Sequence, residues 1–308
     1  MTGDRAPAPA ADRTGRPRNR VDLHTHTSRS DGVYAPADLY AAMAAWGMAL
    51  VAITDHDTLA GAADLLAAGL GSTPGPRLIT GIEINTVGTD VLARRGLGRD
   101  GEELHILGYG LDPGDAVLAA ALARQRDGRR ARIALTLERI RSLGMAVDLD
   151  ILEAGAATDA AVGRPHVARA LVRAGYAQTV DDAFDRFLDT GRPCYVPRQG
   201  LGPREAIEAI TDAGGIAVLA HSPEAADRGD VIRELMDWGL RGLEVHYRTF
   251  DDATVARLAA FAADRGLLAT GGSDYHGDTM DYAAAQETTR VPDSAGDRLL
   301  AALAAMAA

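Results

Sequence analysis

Eight histidines stand in this chain: His24, His26, His56, His105, His166, His221, His246 and His276. Seven fall at or just after a segment that reads as a strand end, or beside a Gly or Pro turn, where scattered core histidines would not gather. His24 and His26 form an H-x-H pair. Residues two apart on a strand face the same side, so both imidazoles can reach one metal. Asp31 follows in the loop Ser28-Arg29-Ser30-Asp31-Gly32, and Thr54-Asp55-His56-Asp57 closes the next apolar run. Glu83 lies inside LITGIEIN, where a buried carboxylate costs several kcal/mol unless it is paired or ligates a metal. Its neighbours Ile82 and Ile84 point to the opposite face of the strand. His105 holds a comparable place on the following strand, His221 ends IAVLAH, and Asp274 and His276 share a face in Gly272-Ser273-Asp274-Tyr275-His276-Gly277.

Imidazole and carboxylate ligands suit zinc, manganese or iron. Nine of them exceed the needs of one ion and fit two or three divalent metals with open coordination positions. Such multi-metal sites clamp and polarise phosphoryl oxygens and generate hydroxide at neutral pH.

The elements that must position these groups follow a rhythm. Apolar runs Val21–His26, Leu50–Thr54, Leu78–Asn85 and Leu104–Gly110 read as strands, with helices over Pro36–Trp46 and Thr58–Leu70. A second strand–helix series follows Pro203: helices Pro203–Ala213, Val231–Trp238, Asp252–Arg265 and Ser294–Met306, and strands Ile216–Ala220, Gly242–Tyr247 and Leu267–Thr270. Alternating strands and helices imply parallel βαβ units, and six or seven strands imply a barrel with its site at the strand C-terminal ends. Between the two series the chain turns helical, with Leu118–Leu143, Pro165–Ala174 and Val180–Leu188 as candidates. The expected division is a disordered tail over 1–19, a first barrel part over 20–112, a helical cap over 113–201 and a second barrel part over 202–308.

Bulk properties exclude several classes. The net charge of -11 argues against a basic nucleic-acid groove, so no stable DNA complex is expected. A phosphate substrate stays open, since bound metals can be the largest local charges in a site. One cysteine, Cys194, makes no internal disulfide and reads as a buried small apolar residue. No stretch has the length and apolarity of a signal peptide or membrane span, so the cytoplasm is the expected location.

The ordered set H-T-H-T-x-x-S-D-G, T-D-H-D-T, the strand glutamate, A-H and G-S-D-Y-H-G resembles the polymerase-and-histidinol-phosphatase (PHP) family over nearly the whole chain after Arg20. The resemblance implies a distorted (β/α)7 TIM-like barrel, α/β in class, around a trinuclear metal cluster. It implies that His24, His26, Glu83 and Asp274 hold one metal and that Asp31, His56 and His221 hold a second. Glu83 would bridge to a third, shared with His105 and His276. One local departure is Pro223, one place later after His221 than in many relatives.

Gly163-Arg164-Pro165-His166, with Tyr195-Val196-Pro197 beyond it, resembles the subgroup of nucleoside 3',5'-bisphosphate phosphatases and 5'-to-3' exoribonucleases acting on short RNA. The partner implied is a phosphorylated small molecule, a nucleotide or a short RNA end. Arg164 and His166 would be catalytic groups reaching a substrate phosphate from the cap, with Arg198 as a further contact; the guanidinium fork suits phosphate. Asp55 and Asp57 are expected to orient an imidazole, His246 to play a structural or rim role, and Arg124–Arg132 to form one solvated helix face. Two other readings compete: a histidinol-phosphate or other small phosphomonoester phosphatase, and a non-catalytic metal-bound PHP module.

Overall fold

The computed structural model describes residues 19–72, 74–87, 103–147 and 159–306. Residues 1–18, most of the expected tail, and residues 88–102 lie outside them. Asn19 does not belong to the tail: it is buried, and its Nδ2 donates to the Val21 carbonyl and to Gln286 Oε1, both at 2.8 Å.

The chain builds one seven-stranded sheet in simple sequence order. The strands are β1 (Val21–Asp22), β2 (Leu50–Ile53), β3 (Arg77–Asn85), β4 (His105–Tyr109), β5 (Ile216–Leu219), β6 (Leu240–Tyr247) and β7 (Leu268–Gly272). The sheet closes on itself. The Leu23 amide donates to the Gly271 carbonyl at 3.1 Å, and the Asp274 amide to the His24 carbonyl at 2.8 Å. Around and between the strands run α1 (Pro36–Trp46), α2 (Ala60–Ala67), α6 (Pro203–Asp212), α7 (Gly229–Asp237), α8 (Asp252–Asp264), α9 (Tyr282–Thr288) and α10 (Asp293–Met306).

Local chemistry sets these bounds. Pro36 opens α1 where an amide would be unsatisfied anyway, and Gly47 ends it at φ 93°. Asp251 caps α8 by accepting the Thr254 amide at 2.8 Å. β2 is buried along its whole length, as a strand covered on both faces must be.

One strand departs from the parallel βαβ expectation. β4 runs antiparallel to both β3 and β5 and follows β3 without an intervening helix among the described residues. Its first residue, His105, therefore pairs with the last of β3, Asn85, and lands on the rim where the other strands end.

The helices expected to form a cap share a core of their own. The helices α3 (Ala116–Ser142), α4 (Arg164–Arg173) and α5 (Val180–Ala183), the last continued by a π-helical turn at Phe184–Leu188, bury Ile133, Ile140, Val167, Leu171, Leu188 and Cys194 together. Burying each large aliphatic contributes about 1.5–3 kcal/mol. Cys194 is fully buried, as its sequence context suggested.

The basic run Arg124–Arg132 is not the solvated face expected of it. Arg126, Arg129 and Arg132 are buried, while Arg124 is exposed. They recur every three residues on the stripe of α3 that also buries Leu118, Leu122 and Ile133, so helix period carries them inward.

Candidate metal centre

Nine side chains meet at the rim formed by the ends of β1, β2, β3, β5 and β7 and the start of β4. They fall into three groups whose ligand atoms lie within 4.8 Å of one another: His24, His26, Glu83 and Asp274; His26, Asp31, His56 and His276; and Glu83, His105 and His221. In the first group, His24 Nε2 is 3.1 Å from His26 Nε2 and 3.3 Å from both Glu83 Oε2 and Asp274 Oδ1. His26 Nε2 is 3.2 and 3.1 Å from those same two oxygens. In the second, Asp31 Oδ1 is 3.2 Å from His276 Nε2, and Asp31 Oδ2 is 3.5 Å from His56 Nε2. In the third, Glu83 Oε1 is 2.8 Å from His105 Nδ1 and 3.1 Å from His221 Nε2.

These residues fit divalent metals. Ligand atoms about 2.0–2.2 Å from one tetrahedral ion stand roughly 3.3 Å apart, which matches the first group. Moreover, His26 Nδ1, Asp31 Oδ1, His56 Nδ1 and Glu83 Oε2 are buried and have no hydrogen-bond partner. Buried polar atoms are rarely left so, and a metal ion bound among them would satisfy them.

The grouping differs in one respect from what the resemblance implied. His221 lies with His105 and Glu83, and His276 lies with Asp31 and His56, so these two histidines exchange places. The antiparallel β4 brings His105 against β5, whose end carries His221. Glu83 still joins two groups, offering one carboxylate oxygen to each.

Charge in the cluster is mutually sustained. Burial opposes ionisation of Glu83, Asp31 and Asp274, yet the surrounding histidines hold all three well below the usual carboxylate range. Burial likewise opposes protonation of His105 and His276. Glu83 nevertheless pushes His105 up to about 9, and Asp31 pushes His276 up to about 10. Burial dominates at His56, which falls to about 4.

Backbone strain gathers here too. Asp57, His221 and Asp274 are the non-glycine residues with positive φ among those described, at 51°, 26° and 49°. Two are candidate ligands and the third adjoins His56. Such conformations cost on the order of 1–3 kcal/mol each and persist where surrounding structure over-determines them. Asp22 supplies that at β1 and β7: it accepts from the Ser273 amide at 2.9 Å, Ser273 Oγ at 2.6 Å and Tyr282 Oη at 3.0 Å.

Several supporting groups escaped the sequence reading. Glu244 on β6 sits with Oε1 2.9 Å from His24 Nδ1, while its Oε2 accepts the His221 amide at 2.9 Å. A ring N–H donated to Glu244 leaves His24 Nε2 bare toward the cluster. Tyr247 Oη donates to Asp274 Oδ2 at 2.8 Å. The cue for Glu244 was the one used for Glu83, a carboxylate inside an apolar strand. The neighbouring His246 is half-buried and belongs to none of the three groups.

Asp55 and Asp57 do not orient an imidazole. Asp55 accepts from the Thr27 amide, Thr27 Oγ1 and Ser30 Oγ, each at 2.7 Å, and so fixes the loop that carries Asp31. Asp57 faces the cap, accepting from Arg129 Nε at 2.5 Å and Arg198 Nη2 at 2.8 Å.

A cavity of about 1080 Å³ opens over the cluster, with cap residues on its far wall, among them Arg164 and Arg198. Arg164 lies over the rings of Phe184 and Tyr195, 5.6 and 5.9 Å from their centroids. His166 does not line this cavity. It is buried, and its Nδ1 accepts the Gly163 amide at 3.1 Å.

A closed α/β barrel with this cluster at its rim defines a metal-dependent phosphoesterase. Residues 22–185 match the PHP domain, and the chain belongs to the PHP family. It is 32% identical over 261 residues to the 3',5'-nucleoside bisphosphate phosphatase of Chromobacterium violaceum, spanning 83% of this chain and 87% of that one. It is equally 32% identical to a 5'-3' exoribonuclease of Haemophilus influenzae (83% and 90%) and to the phosphoribosyl 1,2-cyclic phosphate 1,2-diphosphodiesterase of Eggerthella lenta (83% and 94%). A solved structure from Bifidobacterium adolescentis, assigned as a metal-dependent phosphoesterase, superposes with a TM-score of 0.75 at 29% identity. The match covers 91% of this chain and 95% of that one.

Proposed function

We propose that this protein hydrolyses the phosphate of nucleoside 3',5'-bisphosphates, the 5' ends of short RNA, or both, using two or three divalent ions of manganese, iron or zinc. The observation that carries the reading is the nine-ligand cluster lying beneath a cavity that Arg129, Arg132, Arg164 and Arg198 also line. Divalent metals bound there polarise phosphoryl oxygens and supply a nucleophile at neutral pH. Relatives named for bisphosphate and RNA substrates at 32% identity support the nucleotide class.

The protein's own groups divide the work. Glu83 spans two of the ligand groups and fixes their separation. Glu244 holds His24 and the His221 backbone in register. Arg164 and Arg198 contact phosphate oxygens from the cap, where a guanidinium fork matches a phosphate's geometry. His166 caps the turn that aims Arg164, and burial lowers its pKa, so it stays neutral at pH 7. Among the described residues no helix is long and apolar enough to cross a membrane, and a nucleotide substrate agrees with the expected cytoplasm.

The test is phosphate release from a nucleoside 3',5'-bisphosphate beside a nucleoside 5'-monophosphate, histidinol phosphate and a ribosyl cyclic phosphate, with added manganese and with a chelator. A manganese-dependent preference for the bisphosphate is expected. Faster turnover of histidinol phosphate or of the cyclic ester would reject the nucleotide assignment.

A further inference from the structure

The nine candidate ligands are not placed alike. Glu83 and His105 lie within strands, and His24, His56, His221 and Asp274 follow two or three residues after one. Asp31 lies nine residues past the end of β1, farther from a strand than any of the others. The sheet alone therefore does not place it. Its loop is gripped from two sides. From the barrel, Asp55 accepts the Thr27 amide, Thr27 Oγ1 and Ser30 Oγ. From the side of α4, the Ala161 amide donates to the Arg29 carbonyl at 2.7 Å, and Arg169 Nη2 donates to the carbonyl of Asp31 itself at 2.9 Å.

Arg169 also reaches a second loop. Its Nη1 donates to both carboxylate oxygens of Asp278, at 2.6 and 2.7 Å. Asp278 stands two residues after His276, and the Val33 amide donates to the His276 carbonyl at 2.7 Å, which ties the two loops together. One guanidinium on α4 thus spans the loop of Asp31 and the loop of His276. These two residues are candidate ligands of the same group, with Asp31 Oδ1 3.2 Å from His276 Nε2. A partly exposed ion pair alone contributes little, and the Arg169 and Asp278 side chains are 20% and 21% exposed. What the contact does is geometric. The guanidinium is a rigid fork, so it fixes the distance between its two acceptors as well as attracting them. Ligand atoms must stand within about 0.2 Å of their ideal distance to an ion, and a shift of the Asp31 backbone would carry its carboxylate out of that range. His24 and Asp274 are braced through side-chain atoms, by Glu244 and Tyr247. Asp31 is braced through its backbone instead.

We infer that Arg169 is a positioning residue for the metal group of His26, Asp31, His56 and His276, and that α4 completes this site by fixing the two loops against each other. Arg169 touches neither ion nor substrate. The inference rests on the metal-dependent phosphoesterase reading and deepens it: one ion of the cluster depends on a helix that is not part of the barrel rim. Arg164, which lines the cavity, sits on the same helix, so α4 both presents a group to the substrate and sets an ion.

The test resolves manganese affinity ion by ion, by competition against a chelator of known affinity. It compares wild type, Arg169→Met, Arg169→Lys, Asp278→Asn and, as a control, Arg173→Met at an exposed position one turn further along α4. In Arg169→Met one ion should weaken by about 10–100-fold, the range for loss of an outer partner, while the others stay within about threefold of wild type. Arg169→Lys, which can hold one acceptor but not both, should recover part of the loss. Asp278→Asn should show a smaller loss and Arg173→Met none. The manganese concentration for half-maximal phosphate release should rise by the same factor in Arg169→Met, with kcat at saturating manganese within about threefold of wild type. A role in packing α4 alone would lower thermal stability and leave both manganese constants as they are. Unchanged affinity in Arg169→Met, or equal weakening of every ion, would overturn the inference; if that variant fails to fold, unchanged affinity in both Arg169→Lys and Asp278→Asn would do so. Wild type that binds no manganese would sink the metal centre and this inference with it. Wild type that binds manganese but releases no phosphate would sink the hydrolase reading alone.

Discussion

Glu244 illustrates what a single residue contributes here. It is fully buried, its two oxygens go to a ring nitrogen of His24 and to the His221 backbone, and it belongs to none of the ligand groups. Partners of this kind set ring orientation and basicity, and their loss typically costs about 10–100-fold in metal affinity. Glu244→Gln should weaken manganese binding by that much in a competition titration against a chelator of known affinity; unaltered affinity would mean that His24 is oriented by something else. The candidate ligands were legible because histidine and buried carboxylate are costly away from a partner, as at His24, His26 and Glu83. Glu244, a carboxylate inside the apolar strand β6, obeys the same rule. The supporting roles of Asp55 and Asp57 were not legible, since adjacency to His56 in sequence says nothing about which way a side chain leaves the chain. Asp57 has φ 51°, which turns its carboxylate to the cap rather than along the rim.

At the level of elements, periodicity located the strands and helices but not their direction. An apolar run such as HILGY reads alike whichever way it is traversed. The β3–β4 connection spans residues 86–104, longer than the dozen that a parallel crossover needs, so its length did not mark the antiparallel pair. The reversal is what seats His105 beside Glu83. The inward stripe of α3 was hidden for another reason: arginine is seldom buried unless paired, and the pairs are Asp57 and Asn85, far away in sequence. Asp57→Ala would leave Arg129 and Arg198 buried without their counterion, a change worth about 3–5 kcal/mol. Thermal unfolding of the metal-loaded variant should show a loss of this size; a change below about 1 kcal/mol would mean the cap is held by its other contacts. Close approach constrains β7 as well. A Cβ on Gly272 would collide with the His24 backbone nitrogen and Cβ, so Gly272→Ala should displace β1 and reduce bound metal by elemental analysis. Full metal content in that variant would contradict the tight β1–β7 closure.

For the molecule as a whole, the cluster ties stability to pH in two directions. Asp31, Glu83 and Asp274 are depressed, so their contribution is present above about pH 4 and is lost as pH falls further. His105 and His276 are raised to about 9 and 10, so theirs is full below about pH 6.5 and is lost as pH rises through those values. The metal-free protein should therefore be most stable around pH 6 and lose stability on either side. Metal loading at pH 7 must expel the ring protons, because ligating imidazoles are neutral. Calorimetric binding enthalpies should accordingly vary with the ionisation enthalpy of the buffer, and buffer-independent enthalpies would show that the rings were already unprotonated.

The most direct measurement pairs metal content with phosphate release for wild type and for Asp274→Ala. Two or three divalent ions per wild-type chain are expected, with activity abolished by a chelator and restored by manganese. The variant should remain folded, bind fewer ions and lose activity by more than the ~100-fold typical of an outer partner. Phosphate release that survives chelation, or a variant with full metal content and undiminished turnover, would contradict a metal-dependent phosphoesterase built on these nine residues.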